Sequence, residues 1–246
     1  MKFIKKIKYD TSKFNFQEIV FEHFRKKSSD IKKDISDIHE KISFDNNTLH
    51  DVRDIKVPIH DLKMNYFNVK LDQRNKFVIY FYKIDKIFNS NSSKSTGGQF
   101  YDIYLDLLKY LQKTFFKEKI IVQSKPTLRV HIPDNISVGS YHRDRDYGHP
   151  EEEINIWLPL NKSNNTSALW LESEPNKHDF KPYNLDYGEI LIFNSNLTHG
   201  TEINKEGHSR LSMDFRVVRK KIFKNQSSLS PKNNIKFNLG GYFKEL

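Results

Sequence analysis

"HSRLSMDFRVV", residues 208–218, alternates without a slip. Successive side chains of a β-strand point to opposite faces. His208, Arg210, Ser212, Asp214 and Arg216 therefore share one face, and Leu211, Met213, Phe215 and Val217 the other. A solvated outer face would account for the polar set. The inner wall of a barrel that holds an acid would account for it equally, with the apolar set packed against helices. The neighbouring strands repeat the pattern. In "EINIWLPL" (153–160), Ile154, Ile156 and Leu158 oppose Glu153, Asn155 and Trp157. In "TLRVHI" (127–132), Arg129 and His131 oppose Leu128, Val130 and Ile132. A tryptophan beside an asparagine suits a ligand cavity better than solvent. An apolar outside and a chemically equipped inside are expected of a barrel with a functional lumen.

Working outward, residues 120–218 contain eight short strand-like runs: 120–123, 127–132, 138–142, 153–160, 167–173, 189–194, 198–203 and 208–218. Turn-forming segments such as "PDN", "DYGHP", "NKSNN" and "NKEG" separate them. Upstream, "FNFQEIVFEHFRKK" (14–27) spaces Phe16, Ile19, Val20 and Phe24 near the helical period. "FYDIYLDLLKYLQKTFFKE" (100–118) keeps a longer 3–4 spacing, from Phe100 through Leu107, Leu108 and Leu111 to Phe115. A short helix is expected at 34–42, a strand at 75–84 and a polar loop at 89–99. The fold expected is mainly β (α+β): a sandwich or a jelly-roll (cupin-like) barrel, backed by N-terminal α-helices. The chain divides into an N-terminal helical and mixed extension (1–119), a β core (120–220) and a C-terminal tail (221–246), all one structural unit. In the tail, Gly240 and Gly241 permit a sharp turn that would dock Tyr242 and Phe243 back on the barrel, near the cavity mouth.

Composition narrows the chemistry. With 246 residues, 37% hydrophobic and 13% aromatic, the chain can build a substantial core. It has no cysteine, which excludes disulfides, thiolate metal sites and cysteine nucleophiles. A metal would have to be held by His, Asp or Glu. No apolar run approaches the roughly 20 residues of a membrane span, and residues 1–10 lack a secretory apolar segment, so a cytoplasmic protein is expected. The net charge of +10 comes mostly from scattered lysines. It favours an anionic small molecule over nucleic acid, since no long Lys/Arg block stands out.

The densest chemistry lies in "GSYHRDRDYGHPEEEINIWLPLN" (139–161). His142 and Asp144, two residues apart at a strand end, project to one side. His199, 57 residues on (199 − 142), starts a later strand and is the best third ligand. Two imidazoles and a carboxylate on one face form the facial triad of non-haem Fe(II) enzymes, which leaves positions open for a cosubstrate and oxygen. Arg210, 11 residues after His199 (210 − 199), and Ser212 offer a guanidinium fork and a hydroxyl on one face. That pair suits the distal carboxylate of 2-oxoglutarate. Each piece alone is weak; the ordered set is specific.

The set "HRD … THG … RLS" resembles the Fe(II)/2-oxoglutarate-dependent oxygenases. The longer text across residues 120–220 is similar to their streptomycin-biosynthesis-type branch, distantly to phytanoyl-CoA hydroxylases. The resemblance implies the double-stranded β-helix fold. It implies Fe(II) on His142, Asp144 and His199, and 2-oxoglutarate on Arg210 and Ser212. Asn155 and Trp157 would line the cosubstrate pocket, an assignment that rests on strand parity. The implied reaction hydroxylates a small-molecule metabolite, such as a sugar or other secondary-metabolite derivative, consuming O2 and 2-oxoglutarate and releasing succinate and CO2. The rival classes are the same chemistry on a protein or nucleic acid, and a non-redox metal-binding jelly roll.

Several positions keep two readings. Asp146 and His149 compete with Asp144 and His142 as ligands. Tyr147 and His149 fit a substrate-facing loop, and His149 fits a backbone-bonded turn as well. Arg129 and His131 could meet an anionic substrate group or form structural ion pairs. Arg216 is the runner-up cosubstrate arginine, a substrate-binding candidate, or a partner of Asp214. The consecutive glutamates 151–153 supply no carboxylate pair at glycosidase separation and are expected to be solvated.

Overall fold

A computed structural model of the chain describes residues 4–25, 35–37, 96–131, 133, 141–225 and 236–246. The strand expected at 75–84 lies outside the described residues, as do most of 34–42, most of 138–142 and the first part of 89–99.

Helix α1 spans Phe16–Arg25. The Asn15 side chain accepts from the Glu18 N–H at 3.2 Å and caps its first turn. Helix α2 spans Thr96–Leu111 and runs into one π turn, Gln112–Phe116. Lys117 ends it in the left-handed region at φ 54°, its N–H donating to the Gln112 carbonyl. The expected apolar face of α2 is the buried one: Phe100, Tyr104, Leu107, Leu108 and Leu111 are all fully covered.

The described strands are β1 (Ile4–Lys8), β2 (Ile120–Gln123), β3 (Thr127–His131), β4 (Ile154–Pro159), β5 (Leu169–Leu171), β6 (Lys181–Tyr183), β7 (Glu189–Asn194), β8 (His199–Gly200), β9 (Arg210–Arg219) and β10 (Phe243–Glu245). Seven of them form one antiparallel sheet in the order β1-β7-β4-β9-β2-β10, with β3 also paired to β9. The other three form a small sheet, β6-β5-β8.

Strand parity sorts the core into layers. Leu211, Met213, Phe215 and Val217 of β9 join Ile154, Ile156 and Leu158 of β4 and the buried faces of α1 and α2 in one cluster. Each such side chain contributes roughly 1.5–3 kcal/mol on burial. On the opposite face, Trp157, Leu191 and Phe193 of the large sheet pack with Leu169 and Leu171 of the small one. The molecule is thus helices, large sheet and small sheet, mainly β and backed by N-terminal helices as expected. The two sheets face each other without hydrogen-bonded closure into a barrel among the described strands. No helix among the described residues is long and apolar enough to cross a membrane.

Candidate metal centre

Between the two sheets lies a cavity of about 480 Å³, its mouth included. The charged face of β9 turns into it: Arg210, Asp214 and Arg216 all line it. Asn155 and Trp157 of β4 and Arg129 of β3 join them, and His142 and His199 line the same space.

The histidines meet through their backbones. His142 and His199 form an isolated antiparallel bridge, each N–H donating to the other's carbonyl at 3.0 Å. The chain then turns at Asp144–Tyr147, one 3-10 turn closed by Gly148 at φ 84°. These two devices bring Asp144 Oδ1 to 3.6 Å from Nε2 of both His142 and His199. The three ligand atoms lie within 4.8 Å of one another. His199 Nδ1 sits 3.0 Å from the Leu197 carbonyl, which fixes its proton there and leaves the Nε2 lone pair facing Asp144. Burial pushes His199 down to about 4, with Asp144 pulling the other way, so the ring is neutral at neutral pH. Burial would raise the Asp144 carboxyl, but the Arg216 guanidinium together with His142, His199 and His149 outweighs it and holds it well below the usual carboxylate range. A neutral His199 imidazole and an ionised Asp144 carboxylate are protonation states that a divalent metal requires of its ligands.

Asp146 is engaged elsewhere: it accepts from the backbone and guanidinium of Arg143. His149 and Glu153 could form a second group with Asp144. They are instead bonded to each other, His149 Nδ1 to Glu153 Oε2 at 2.9 Å. Glu153 corrects the expectation that the glutamates are solvated. Glu151 is exposed, but Glu153 is fully buried. Strand parity carries it inward beside Asn155, and His149 compensates the burial that pushes its carboxyl up.

Arg210 is fully buried. Its Nε donates to the Ser167 carbonyl at 3.0 Å, Nη1 to Ser212 Oγ at 2.6 Å, and Nη2 meets His131 Nδ1 at 3.2 Å. The guanidinium stands over the Trp157 ring at 5.6 Å. Among the described residues no carboxylate pairs with it. Burial, with Arg129 adding, pushes it down to about 9, so it stays charged at neutral pH. Arg216 differs. Its Nε donates to Asp144 Oδ2 at 3.2 Å and its Nη1 to Asp214 Oδ2 at 2.7 Å. Asp214 in turn is held by Arg129.

The structure therefore brings His142, Asp144, His199, Arg210, Ser212, Asn155, Trp157, Arg129 and Arg216 together around one space. His131 is behind Arg210, away from the cavity lining. Tyr147 sets its ring edge-on to His142 at 5.1 Å. His149 stacks on Phe237 at 4.2 Å, and none of the described residues of the tail that supplies Phe237 and Tyr242 lines the cavity.

Two residues escaped the sequence reading. Thr201 lines the cavity, and its buried Oγ1 has no hydrogen-bond partner, like Asn155 Oδ1. Its i+2 spacing from His199 is the signal that would have found it. Glu172 is fully buried and accepts from the Thr198 N–H at 2.6 Å and the His178 N–H at 3.1 Å, fixing the approach to His199. Nothing in its local sequence announces that role. Gly200 leaves room for the Tyr141 ring, which a Cβ would meet at 3.0 Å.

No family model matches the chain. Among solved structures, a nickel complex of the non-haem monooxygenase ThoJ shares 14% identity, over 57% of this chain and 60% of its own, with a TM-score of 0.41. The α-ketoglutarate-dependent epimerase SnoN from nogalamycin biosynthesis shares 12%, over 58% and 72%, with a TM-score of 0.41. At such scores these likenesses carry no argument about this chain. The sequence relative is stronger. The streptomycin biosynthesis protein StrG of Streptomyces griseus is 31% identical over 169 residues, which cover 65% of this chain and 81% of the relative. That likeness bears out the streptomycin-biosynthesis-type resemblance, and the chain belongs to the family of the streptomycin biosynthesis protein StrG.

Proposed function

We propose that the chain is a non-haem Fe(II)- and 2-oxoglutarate-dependent oxygenase that hydroxylates a small-molecule metabolite. One observation carries the reading. A His-Asp-His face and a buried guanidinium with no carboxylate partner among the described residues look into the same cavity. A divalent ion and a dianionic keto acid are the ligands that complete both. The donor set fits iron: two imidazole nitrogens and a carboxylate oxygen on one face, with room for further ligands.

His142, Asp144 and His199 would hold the metal. Arg210 and Ser212 would take the far carboxylate of 2-oxoglutarate, with the Trp157 ring beside the guanidinium. Asn155 Oδ1 and Thr201 Oγ1, buried and unpaired, offer polar contacts to whatever fills the remaining space. Iron, 2-oxoglutarate and O2 supply the oxidising chemistry, with succinate and CO2 as coproducts. The protein supplies ligand geometry and orientation of the substrate. Arg129, on the cavity wall, and Tyr147, against His142, would meet the substrate. The relative's place in streptomycin biosynthesis supports a natural-product substrate, of the sugar or amino-sugar class.

With Fe(II), ascorbate and 2-oxoglutarate, the wild type should release succinate even without the primary substrate. His142→Ala and Asp144→Ala should each abolish that release. A wild type that binds neither iron nor 2-oxoglutarate would overturn the reading.

A further inference from the structure

The metal-ligand carboxylate is not symmetric. Asp144 Oδ1 is the atom that stands 3.6 Å from both imidazole Nε2 atoms. Oδ2 carries the shorter contact: Arg216 Nε donates to it at 3.2 Å, while Arg216 Nη2 donates to Oδ1 only at the longer 3.5 Å. Resting on the oxygenase reading above, we infer that Arg216 is a positioning residue that restricts Asp144 to one metal-facing oxygen.

The guanidinium is itself held. Its Nη1 donates to Asp214 Oδ2 at 2.7 Å, and Arg129 takes both oxygens of Asp214 from the other side. The Arg216 backbone N–H donates to Gln123 Oε1, which Tyr242 also engages. A chain of alternating charge, Arg129–Asp214–Arg216–Asp144, therefore fixes the outer oxygen of Asp144 from the far end of the cavity. Arg216 cannot turn toward a ligand without abandoning two buried carboxylates.

The consequence is one coordination position. In octahedral geometry three protein atoms leave three positions open. A keto acid that chelates through two atoms takes two of them and leaves one for oxygen. If Asp144 bound through both oxygens, only two positions would remain. The two arginines on this face of β9 thus divide the work. Arg210, with no carboxylate partner among the described residues, would take one from the ligand. Arg216, with two, keeps the metal open.

The test separates metal binding from chelation. Fe(II) binding is measured by anaerobic calorimetry, and 2-oxoglutarate binding to the iron-loaded protein by the visible charge-transfer absorption of the chelate. Arg216→Met should bind Fe(II) within about threefold of wild type, while its 2-oxoglutarate Kd rises about tenfold or more. Arg216→Lys, with an ammonium that still donates to Oδ2, should recover most of that loss. Equal loss of both ligands, or an unchanged 2-oxoglutarate Kd in folded Arg216→Met, overturns the inference alone. Should Arg216→Met fail to fold, a wild-type crystal grown with Mn(II) decides. Coordination by Oδ1 with Oδ2 still on Arg216 supports the inference, and coordination by both oxygens overturns it. A wild type that binds neither Fe(II) nor 2-oxoglutarate sinks the oxygenase reading as well.

Discussion

Arg210 is a fully buried guanidinium with no carboxylate partner among the described residues. Desolvating a guanidinium costs several kcal/mol unless a charge answers it. Its three protein acceptors are a carbonyl, a hydroxyl and an imidazole nitrogen, all neutral. Replacing it by an apolar side chain of similar length removes a cost as well as a function. Arg210→Met should therefore keep or slightly raise the melting temperature of the ligand-free protein. The same variant should weaken 2-oxoglutarate binding about 100-fold, the loss of a bidentate charged contact worth roughly 3 kcal/mol. Succinate, which lacks the keto group, separates the two arginines. Its binding to metal-free protein should collapse in Arg210→Met and persist in Arg216→Met. Calorimetric titration of both variants reads the difference, and the reverse pattern would exchange their roles.

At the scale of elements, the weak point is β8, two residues long and the carrier of His199. Its pairing with β5 covers only Trp170–Gly200 and Leu171–His199, so the side chain of Glu172 supplies what the ladder does not. Burial would raise the Glu172 carboxyl, but donors from Thr198, His178 and Asn176 outweigh burial and hold it below 4.5. The sign follows. A carboxyl depressed on folding stabilises the fold above its unfolded value of 4.5, and that contribution is lost as the pH falls below it. Glu172→Gln should be less stable than wild type at pH 7 by roughly 1.5–3 kcal/mol, the usual worth of hydrogen bonds to a buried charge. The two melting curves should converge as the pH falls through 4.5 and below. Parallel curves at every pH would mean that Glu172 acts through packing alone. Element by element, the sequence was legible where alternation or helical period ran long: α2, β4, β7 and β9 lie where expected, and the polar face of β9 turns inward. It was not legible in β1, β6 or β10. The first is "IKKIK", an edge strand with lysines outward; the second holds a proline; the third is three residues that depend on β2. Parity also carried Glu153 inward, although its two glutamate neighbours in sequence pointed to solvent.

For the molecule as a whole, stability and function sit on opposite faces of one sheet. The face toward the helices is continuous apolar core, while the face toward the small sheet buries Arg210, Arg216, Asp144 and Asp214. The small sheet contributes strands of only two and three residues. Its His199 belongs to the candidate metal face, whereas Arg210 belongs to the large sheet, so metal and keto acid together would bridge the two sheets. A ligand that binds only the folded state adds about 2.7 kcal/mol at 100 times its Kd. Two such ligands add about 5 kcal/mol. For a chain of this size each kcal/mol raises the melting temperature by roughly 2–4 °C. Mn(II) and 2-oxoglutarate together should therefore raise it by roughly 10–20 °C, with the gain concentrated in slower amide exchange of β5 and β8. His142→Ala should lose the metal-dependent part and Arg210→Met the keto-acid part. An equal gain in exchange protection across the helices would show that the ligands stabilise the fold without stapling the sheets.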